Sequence, residues 1–474
     1  MRVAVIGAGP AGMTAAMQLS QGGADVDLYE GSPNVGGMSR TIELWGQLVD
    51  LGPHRFFSTD CRVNRLWLSV VGDDYTMIDR LTRICYDQKF FGYPLKPLEA
   101  CQKLGAVNAV LCVASYVKEQ FHKTADTRVE SSFESWVVRR FGRRLFETFF
   151  KSYSEKLWGI ACDELSNEFA AQRIKQFSLR EALLSAVSRR RAQSHKTLVD
   201  RFAYPHGGTG MVYERMAQQF QLAGGRLHLN SPVRRILNDQ DRVHGVELIN
   251  GGTHLSDHVI STMPLTVLVR GMSEVPAAVL EASGQLSFRN TILTYLNYDS
   301  PALFADQWLY MHSPKLKTGR VTNFRNWGNE LYGDSTSTVL SAERWCNSDD
   351  DCWTAPDDVL IEQAASEMKQ ANLVRDERLL GGHVVRVPRC YPVYRRGFRK
   401  HVERIADFVK TVSGLHVIGR YGAFKYNNQD HSILAGILAA ENLLAGQTHD
   451  LWEVNSDDEL YHEPAITADT CSGQ

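Results

Sequence analysis

The chain has 474 residues, 43% hydrophobic and 22% charged, with a formal net charge of −2. That length exceeds one simple core and calls for two or so joined domains, and the near-neutral balance gives no electrostatic reason to expect a nucleic-acid partner. Nine cysteines, scattered from Cys61 to Cys471, are odd in number and include no CxxC pair, which argues against a disulfide framework or a metal site and for a reducing, cytoplasmic compartment.

In chain order, Arg2 to Ile6 reads as a buried strand, with no secretory leader expected before it. Gly7-Ala8-Gly9-Pro10-Ala11-Gly12 follows, then a helix to about Gln21, closed by Gly22-Gly23. Ala24 to Tyr29 is a second strand, and Glu30 ends it. This is a βαβ unit with the dinucleotide fingerprint. Gly7 permits the tight turn, Gly9 lets backbone approach a pyrophosphate, and Gly12 lets helix and strand pack closely. The helix N-terminus faces the anion, and the Glu30 carboxylate can accept hydrogen bonds from ribose hydroxyls.

Residues 98–200 read as mostly helical, with Leu104 to Val117 too short to span a bilayer and expected as a buried helix, a membrane-touching helix being the lesser alternative. The basic run Arg189-Arg190-Arg191 and Lys196 reads as a solvated face or a local anion site, and Lys151 and Lys156 read as solvated. Short strands return over 226–262 and β-rich runs over 290–345. Leu415 to Arg420 reads as a strand ending in Gly419-Arg420, and Ser432 to Leu444 as the closing helix. The organisation expected is α/β. A discontinuous nucleotide-binding domain takes in 1–80, 205–265 and 405–450. A mainly helical insertion covers 81–204, a β-rich substrate domain 266–404, and a flexible tail 457–474.

The βαβ unit alone leaves NAD and FAD open. Glu30 through Gly36-Gly37-Met38-Ser39-Arg40 resembles the Gly-Gly segment of the glutathione-reductase-like and amine-oxidase-like FAD families. Gly419-Arg420 resembles their late FAD motif. The resemblance implies a Rossmann-like FAD domain, with Pro10, Ala11, Val233, Asn428, Asp430 and Ser432 also against the cofactor.

Further segments resemble the UDP-galactopyranose mutases of the same superfamily. They are Gly52-Pro53-His54-Arg55-Phe56-Phe57-Ser58, Phe91 to Leu95, and the block from Phe133 to Leu165 that contains Phe150, Tyr153 and Trp158. Arg173, Arg320, Tyr391 and the run Gly419 to Asp430, with Tyr426, continue the likeness. It implies His54 against the flavin and Arg173 and Arg320 on a substrate diphosphate, with Tyr391 and Arg420 nearby. Phe150, Tyr153, Trp158 and Tyr426 would line the substrate site. The implied reaction is redox-neutral pyranose–furanose isomerisation of a nucleotide sugar, by attack of reduced-flavin N5 on the anomeric carbon, with an external reductant supplying the electrons. Departures are Phe57-Ser58 in place of His-Thr, Asn427-Asn428-Gln429 in place of Leu-Asp-Met, and Tyr204-Pro205-His206-Gly207-Gly208-Thr209-Gly210. The last resembles protoporphyrinogen oxidases and carotene desaturases, so the alternative is an FAD-dependent oxidase or desaturase of a small molecule. A non-enzymatic binder on the same fold, as in the prenyl-GTPase dissociation inhibitors, is a third reading, opposed by the intact glycine set.

Overall fold

The computed structural model describes residues 1–95, 97–121, 132–168, 201–239 and 241–455. By contacts the chain divides into two units. One comprises Met1–Ile78, Arg201–Phe288 and Phe398–Gln474, and the other Asp79–Asp200 and Arg289–Gly397.

The first unit is built on a five-stranded parallel sheet in the order Leu415–Val417, His258–Ser261, Arg2–Ile6, Asp25–Tyr29, Arg226–His228. Val3, Val5, Val26 and Leu28 are essentially inaccessible, as a strand buried on both faces requires. The helix Pro10–Gln21 packs against the closing helix Gln429–Leu444. Small residues allow it: a Cβ on Gly436 would stand 2.5 Å from the Ala11 carbonyl oxygen. Met13, Met17 and Leu19 of the same helix are buried in the unit's core, each contributing about 2 kcal/mol by leaving water. A three-stranded antiparallel sheet, Val233–Asn238, Val243–Leu248 and Thr253–Leu255, belongs to the same unit. The strand expected to run to Arg420 stops at Val417, and Gly419–Gly422 turns as a short helix.

The second unit is built on a seven-stranded sheet. Its order is Leu379–Pro392, Phe288–Tyr298, Thr338–Cys346, Arg320–Asn323, Trp308–Met311, Thr82–Tyr86, Lys89–Gly92. Leu296, Leu309, Val321, Leu340 and Ala342 turn one way and pack with Ala364 and Met368 of the helix Asp357–Gln370. The helical segment runs through Pro97–Leu104, Ala106–Phe121, Phe133–Phe141 and Ser152–Trp158.

Two expectations are corrected here. Ala106–Phe121 is a helix, but not a buried one: Val107 and Phe121 are 74% and 84% exposed. Lys156 is not solvated, because its Nζ donates to the carbonyl oxygens of Met311 at 2.9 Å and Ser313 at 2.7 Å. Burial there pulls its ammonium pKa down to about 8.

Candidate functional site

The first unit assembles a cradle of backbone. Gly9 precedes the helix Pro10–Gln21, no side chain caps that helix, and its first turn carries no acid. The leading N–H groups and the positive end of the dipole are therefore left for an anion. Gly12 is required by packing, since a Cβ there would lie 2.0 Å from the Gly7 carbonyl oxygen. The second glycine turn closes on the first. Gly36 N donates to Ala8 O at 2.8 Å, and a Cβ on Gly37, whose φ is +57°, would meet Gly9 Cα at 3.1 Å. Met38 and Ser39 continue as a single helical turn, and Arg40 Nε closes it by donating to Gly37 O at 3.0 Å.

Glu30 ties the two turns together. Its Oε2 accepts from Ala8 N at 2.8 Å and its Oε1 from Ser32 N at 2.9 Å. Ser231 N donates to Glu30 O at 2.8 Å, which brings the start of the Val233 strand to the acid.

The Gly52-Pro53-His54 loop is held by its carbonyls. His54 O accepts from Thr209 Oγ1 at 2.9 Å and from Gln429 Nε2 at 3.3 Å. Gln429 is itself fixed, its Oε1 accepting from Tyr213 Oη at 2.7 Å. Below this lies Asp50, which is fully buried. It accepts from Thr41 Oγ1 at 2.6 Å, Tyr204 Oη at 2.9 Å and Thr209 N at 3.2 Å. Burial pushes its carboxyl pKa up to about 6. The Tyr204–Gly210 motif is thus spent on architecture: its tyrosine, Thr209 N–H and Gly210 N–H all grip the Thr41/Asp50 hairpin. Asp50 and Tyr213, and the part that Thr209 and Gln429 play beside them, escaped the sequence reading, because no local motif marks a buried polar network joined across hundreds of residues.

At the C-terminal end, Arg420 Nη1 donates to Asn427 O at 2.8 Å and its guanidinium lies 4.4 Å from the Tyr426 ring centroid. Asn428 caps the closing helix through a reciprocal box with His431. Ser432 Oγ donates to Asn428 O at 3.0 Å. Asp430 sits in the first turn, and burial raises its carboxyl pKa. Gly7 through Gly12, Glu30, Gly36 through Arg40, Gly52 through His54, Val233 and Gly419 through Ser432 all lie in this unit.

The second unit brings another set together. Arg320 and Glu343 pair across adjacent strands, the glutamate buried and the arginine largely so, and Arg320 Nη2 also reaches Tyr391 Oη at 3.3 Å. Glu343 holds the Arg320 guanidinium pKa well above its ordinary value, although desolvation, the largest single influence, opposes this. Aromatic rings surround the pair. Tyr391 meets Trp158 and Trp345 edge-on, and Tyr153 meets Trp345 edge-on and stacks on His312 with centroids 4.5 Å apart. Burial draws the His312 pKa down to about 3, so its imidazole is neutral at physiological pH. Phe150 instead stacks on Phe141 within the helical segment. Arg173, Arg189 to Arg191, Lys196 and the tail 457–474 lie outside the described residues.

Alternation along the strands gives this sheet a polar face. Register places Thr322 opposite Ser341 and Arg320 opposite Glu343, with Trp345 on the same side. On that side Thr291 Oγ1, Asn297 Oδ1, Thr322 Oγ1, Ser341 Oγ and Trp345 Nε1 are buried without a hydrogen-bond partner. Among the described residues no His, Cys, Asp and Glu cluster is placed to hold a metal, and no helix is long and apolar enough to cross a membrane.

Comparison with known proteins identifies the family. The profile of the family described as flavin containing amine oxidoreductase matches residues 10–444. The chain belongs to that family. Its backbone is similar to a crystal structure of reduced UDP-galactopyranose mutase, with a TM-score of 0.84, 22% identity, and 96% of this chain and 97% of that chain covered. It is also similar to a protein of Exiguobacterium sp. 255-15 assigned as a protoporphyrinogen oxidase, with TM-score 0.72, 17% identity, and 94% and 99% covered. Wild-type putrescine oxidase bound to putrescine gives TM-score 0.63, 16% identity, and 94% and 99% covered. These likenesses show a shared mixed α/β flavoprotein fold. A zeta-carotene desaturase of Zea mays is 36% identical over 83 residues, which is 17% of this chain and 15% of the maize protein. The cofactor of this amine-oxidoreductase chain is FAD. Its cradle fits that group, with an uncapped helix end for the pyrophosphate and no side chain between the facing glycine turns.

Proposed function

We propose that this flavoenzyme acts on a nucleotide-linked sugar in a redox-neutral ring isomerisation of the UDP-galactopyranose mutase type. The observation that carries the reading is the polar face of the seven-stranded sheet. Each buried donor or acceptor left without a partner costs about 1–3 kcal/mol. Five such atoms share one face with a buried Arg–Glu pair. A hydrocarbon polyene offers that face nothing, and a porphyrinogen only its pyrrole N–H groups and carboxylates, whereas a hydroxyl-rich sugar nucleotide supplies both donors and acceptors in number. The fold likeness to a mutase supports the same direction.

Reduced FAD, when bound, would supply a nucleophilic N5 for the anomeric carbon. The protein supplies orientation and charge. Glu343 takes two donors of the Arg320 fork, which leaves Nη1 for the departing diphosphate, where preorganised donors count most. In this reading Arg173 provides a second guanidinium, and Tyr391 a hydroxyl beside the first. Tyr153, Trp158 and Phe150 provide aromatic surface for the nucleotide. His54 and Arg420 border the flavin, with His54 fixed through its carbonyl by Thr209 and Gln429.

The test is anaerobic incubation of photoreduced protein with UDP-, dTDP- and GDP-sugars, followed by chromatography of the sugar. A furanose product without consumption of an electron acceptor is expected. The alternative, net oxidation of a C–H bond in an amine, porphyrinogen or polyene, predicts substrate-dependent bleaching of the oxidised flavin instead. Bleaching with such a substrate, and no isomer from any nucleotide sugar, would overturn the proposal.

A further inference from the structure

The helix Ala106–Phe121 is built inside out. Its inward positions make polar contacts: Asn108 Oδ1 accepts from Arg144 Nη2 at 2.5 Å, and Ser115 Oγ accepts from Arg144 N at 3.2 Å. Gln120 Nε2 donates to Arg139 O at 2.9 Å. The large apolar side chains point the other way. Val107 is 74% exposed, Val110 67%, Leu111 42%, Val117 43% and Phe121 84%. Their spacing of three, four and seven puts all five on one stripe about 21 Å long. Soluble surfaces seldom carry a continuous apolar stripe of this kind without a use for it.

The surroundings say what covers it. In this helix and the three packed on it, Pro97–Leu104, Phe133–Phe141 and Arg143–Leu145, six cations (Lys103, Lys118, Arg139, Arg140, Arg143 and Arg144) stand against three carboxylates, Glu99, Glu119 and Glu134. The chain as a whole is net acidic. Two copies meeting through this face would bring like charge together. An apolar stripe beside an excess of Lys and Arg suits a different occupant.

We propose that the Ala106–Phe121 helix seats the protein on an anionic lipid surface. It lies in the plane of the interface, with Val107, Val110, Leu111, Val117 and Phe121 at the acyl boundary and Lys118 at the headgroup phosphates. This is surface docking, since no described helix is long and apolar enough to cross a bilayer. It is independent of which reaction the enzyme catalyses.

The experiment is co-sedimentation of the FAD-loaded protein with vesicles of phosphatidylcholine alone or mixed with phosphatidylglycerol, with flavin absorbance and thermal midpoint recorded for each variant. The protein is expected to pellet with the anionic vesicles, and less so as salt is raised. V110E/V117E is expected to lose binding by more than roughly tenfold with flavin content unchanged, because it places two charges at the acyl boundary. K118A is expected to weaken anionic-vesicle binding by roughly fivefold without that apolar loss. Three results would overturn the proposal. One is no pelleting with either vesicle. Another is equal pelleting of wild type and V110E/V117E. The third is a dimer in light scattering that V110E/V117E dissociates while vesicles bind neither protein.

Discussion

Arg320 and Glu343 stand opposite each other on neighbouring strands and share two hydrogen bonds, Nε to Oε1 at 2.7 Å and Nη2 to Oε2 at 2.6 Å. The pair fixes the arginine's plane and neutralises a carboxylate that would otherwise be buried alone. Its value to the fold and its value to a ligand are separable by mutation.

Removing one partner, as in E343A, strands a buried guanidinium and is expected to destabilise the protein by about 3–5 kcal/mol. The double variant R320M/E343L should recover most of that loss, since an apolar pair of similar volume is often as stable as the ion pair. Under the proposed function, the recovered variant still fails to bind a nucleotide diphosphate. Urea unfolding and calorimetric titration with UDP measure the two effects. Restored nucleotide binding in the double variant would remove Arg320 from the substrate site.

Gly37→Ala is expected to lower FAD occupancy. A Cβ at a φ of +57° costs about 1–2 kcal/mol and here also presses on Gly9 Cα from 3.1 Å. The expected result is about a tenfold weaker FAD dissociation constant, read from the flavin-to-protein absorbance ratio after dialysis. Unchanged occupancy would mean that the two glycine turns do not jointly hold the pyrophosphate.

The Asp50 carboxyl is raised from 3.8 to about 6 by burial. Its folded pKa lies above its unfolded one, so between those values the folded protein keeps a proton that the unfolded chain has lost. Its contribution to stability therefore falls as pH rises through that window and is constant above it, by about 3 kcal/mol in all. D50N should show no such slope. It should also be less stable at the acid end, because an amide has one acceptor oxygen where Asp50 presents two to Thr41, Tyr204 and Thr209. Parallel urea titrations of the two proteins across the window check this, and equal slopes would count against it.

Gln429→Leu removes the donor to the His54 and Arg55 carbonyls and one of the two side-chain partners, Gln429 and Ser39, of the buried Tyr213 hydroxyl. The expected cost is about 2–3 kcal/mol. The flavin absorption spectrum should shift as the His54 loop loosens. Loss of stability with an unaltered spectrum would confine Gln429 to a structural role.

The parts legible in the sequence are those in which chain neighbours do the work. The first βαβ unit, the glycine turns around Gly9 and Gly37, the strand-end acid Glu30 and the closing helix depend on backbone conformation and short-range packing, which local residue choice sets. The Leu104–Val117 stretch was misread because hydrophobic content alone does not say which side of a helix faces the protein. That is decided by partners such as Arg144 and Arg139, far enough along the chain to leave no local sign.

The sequence by itself determined that a dinucleotide could be held at the end of the first strand, since glycine spacing and an uncapped helix end are properties of the local chain. Tertiary structure decided the rest. It clamped Tyr204 and Thr209 of the Tyr204–Gly210 motif onto Asp50, and it set Arg320 against Glu343 across a strand pair. It also gathered Thr291, Asn297, Thr322, Ser341 and Trp345 onto one face. Such groupings arise from sheet register, which fixes which residues far apart in the chain become neighbours, and register is settled by the packing of the whole sheet.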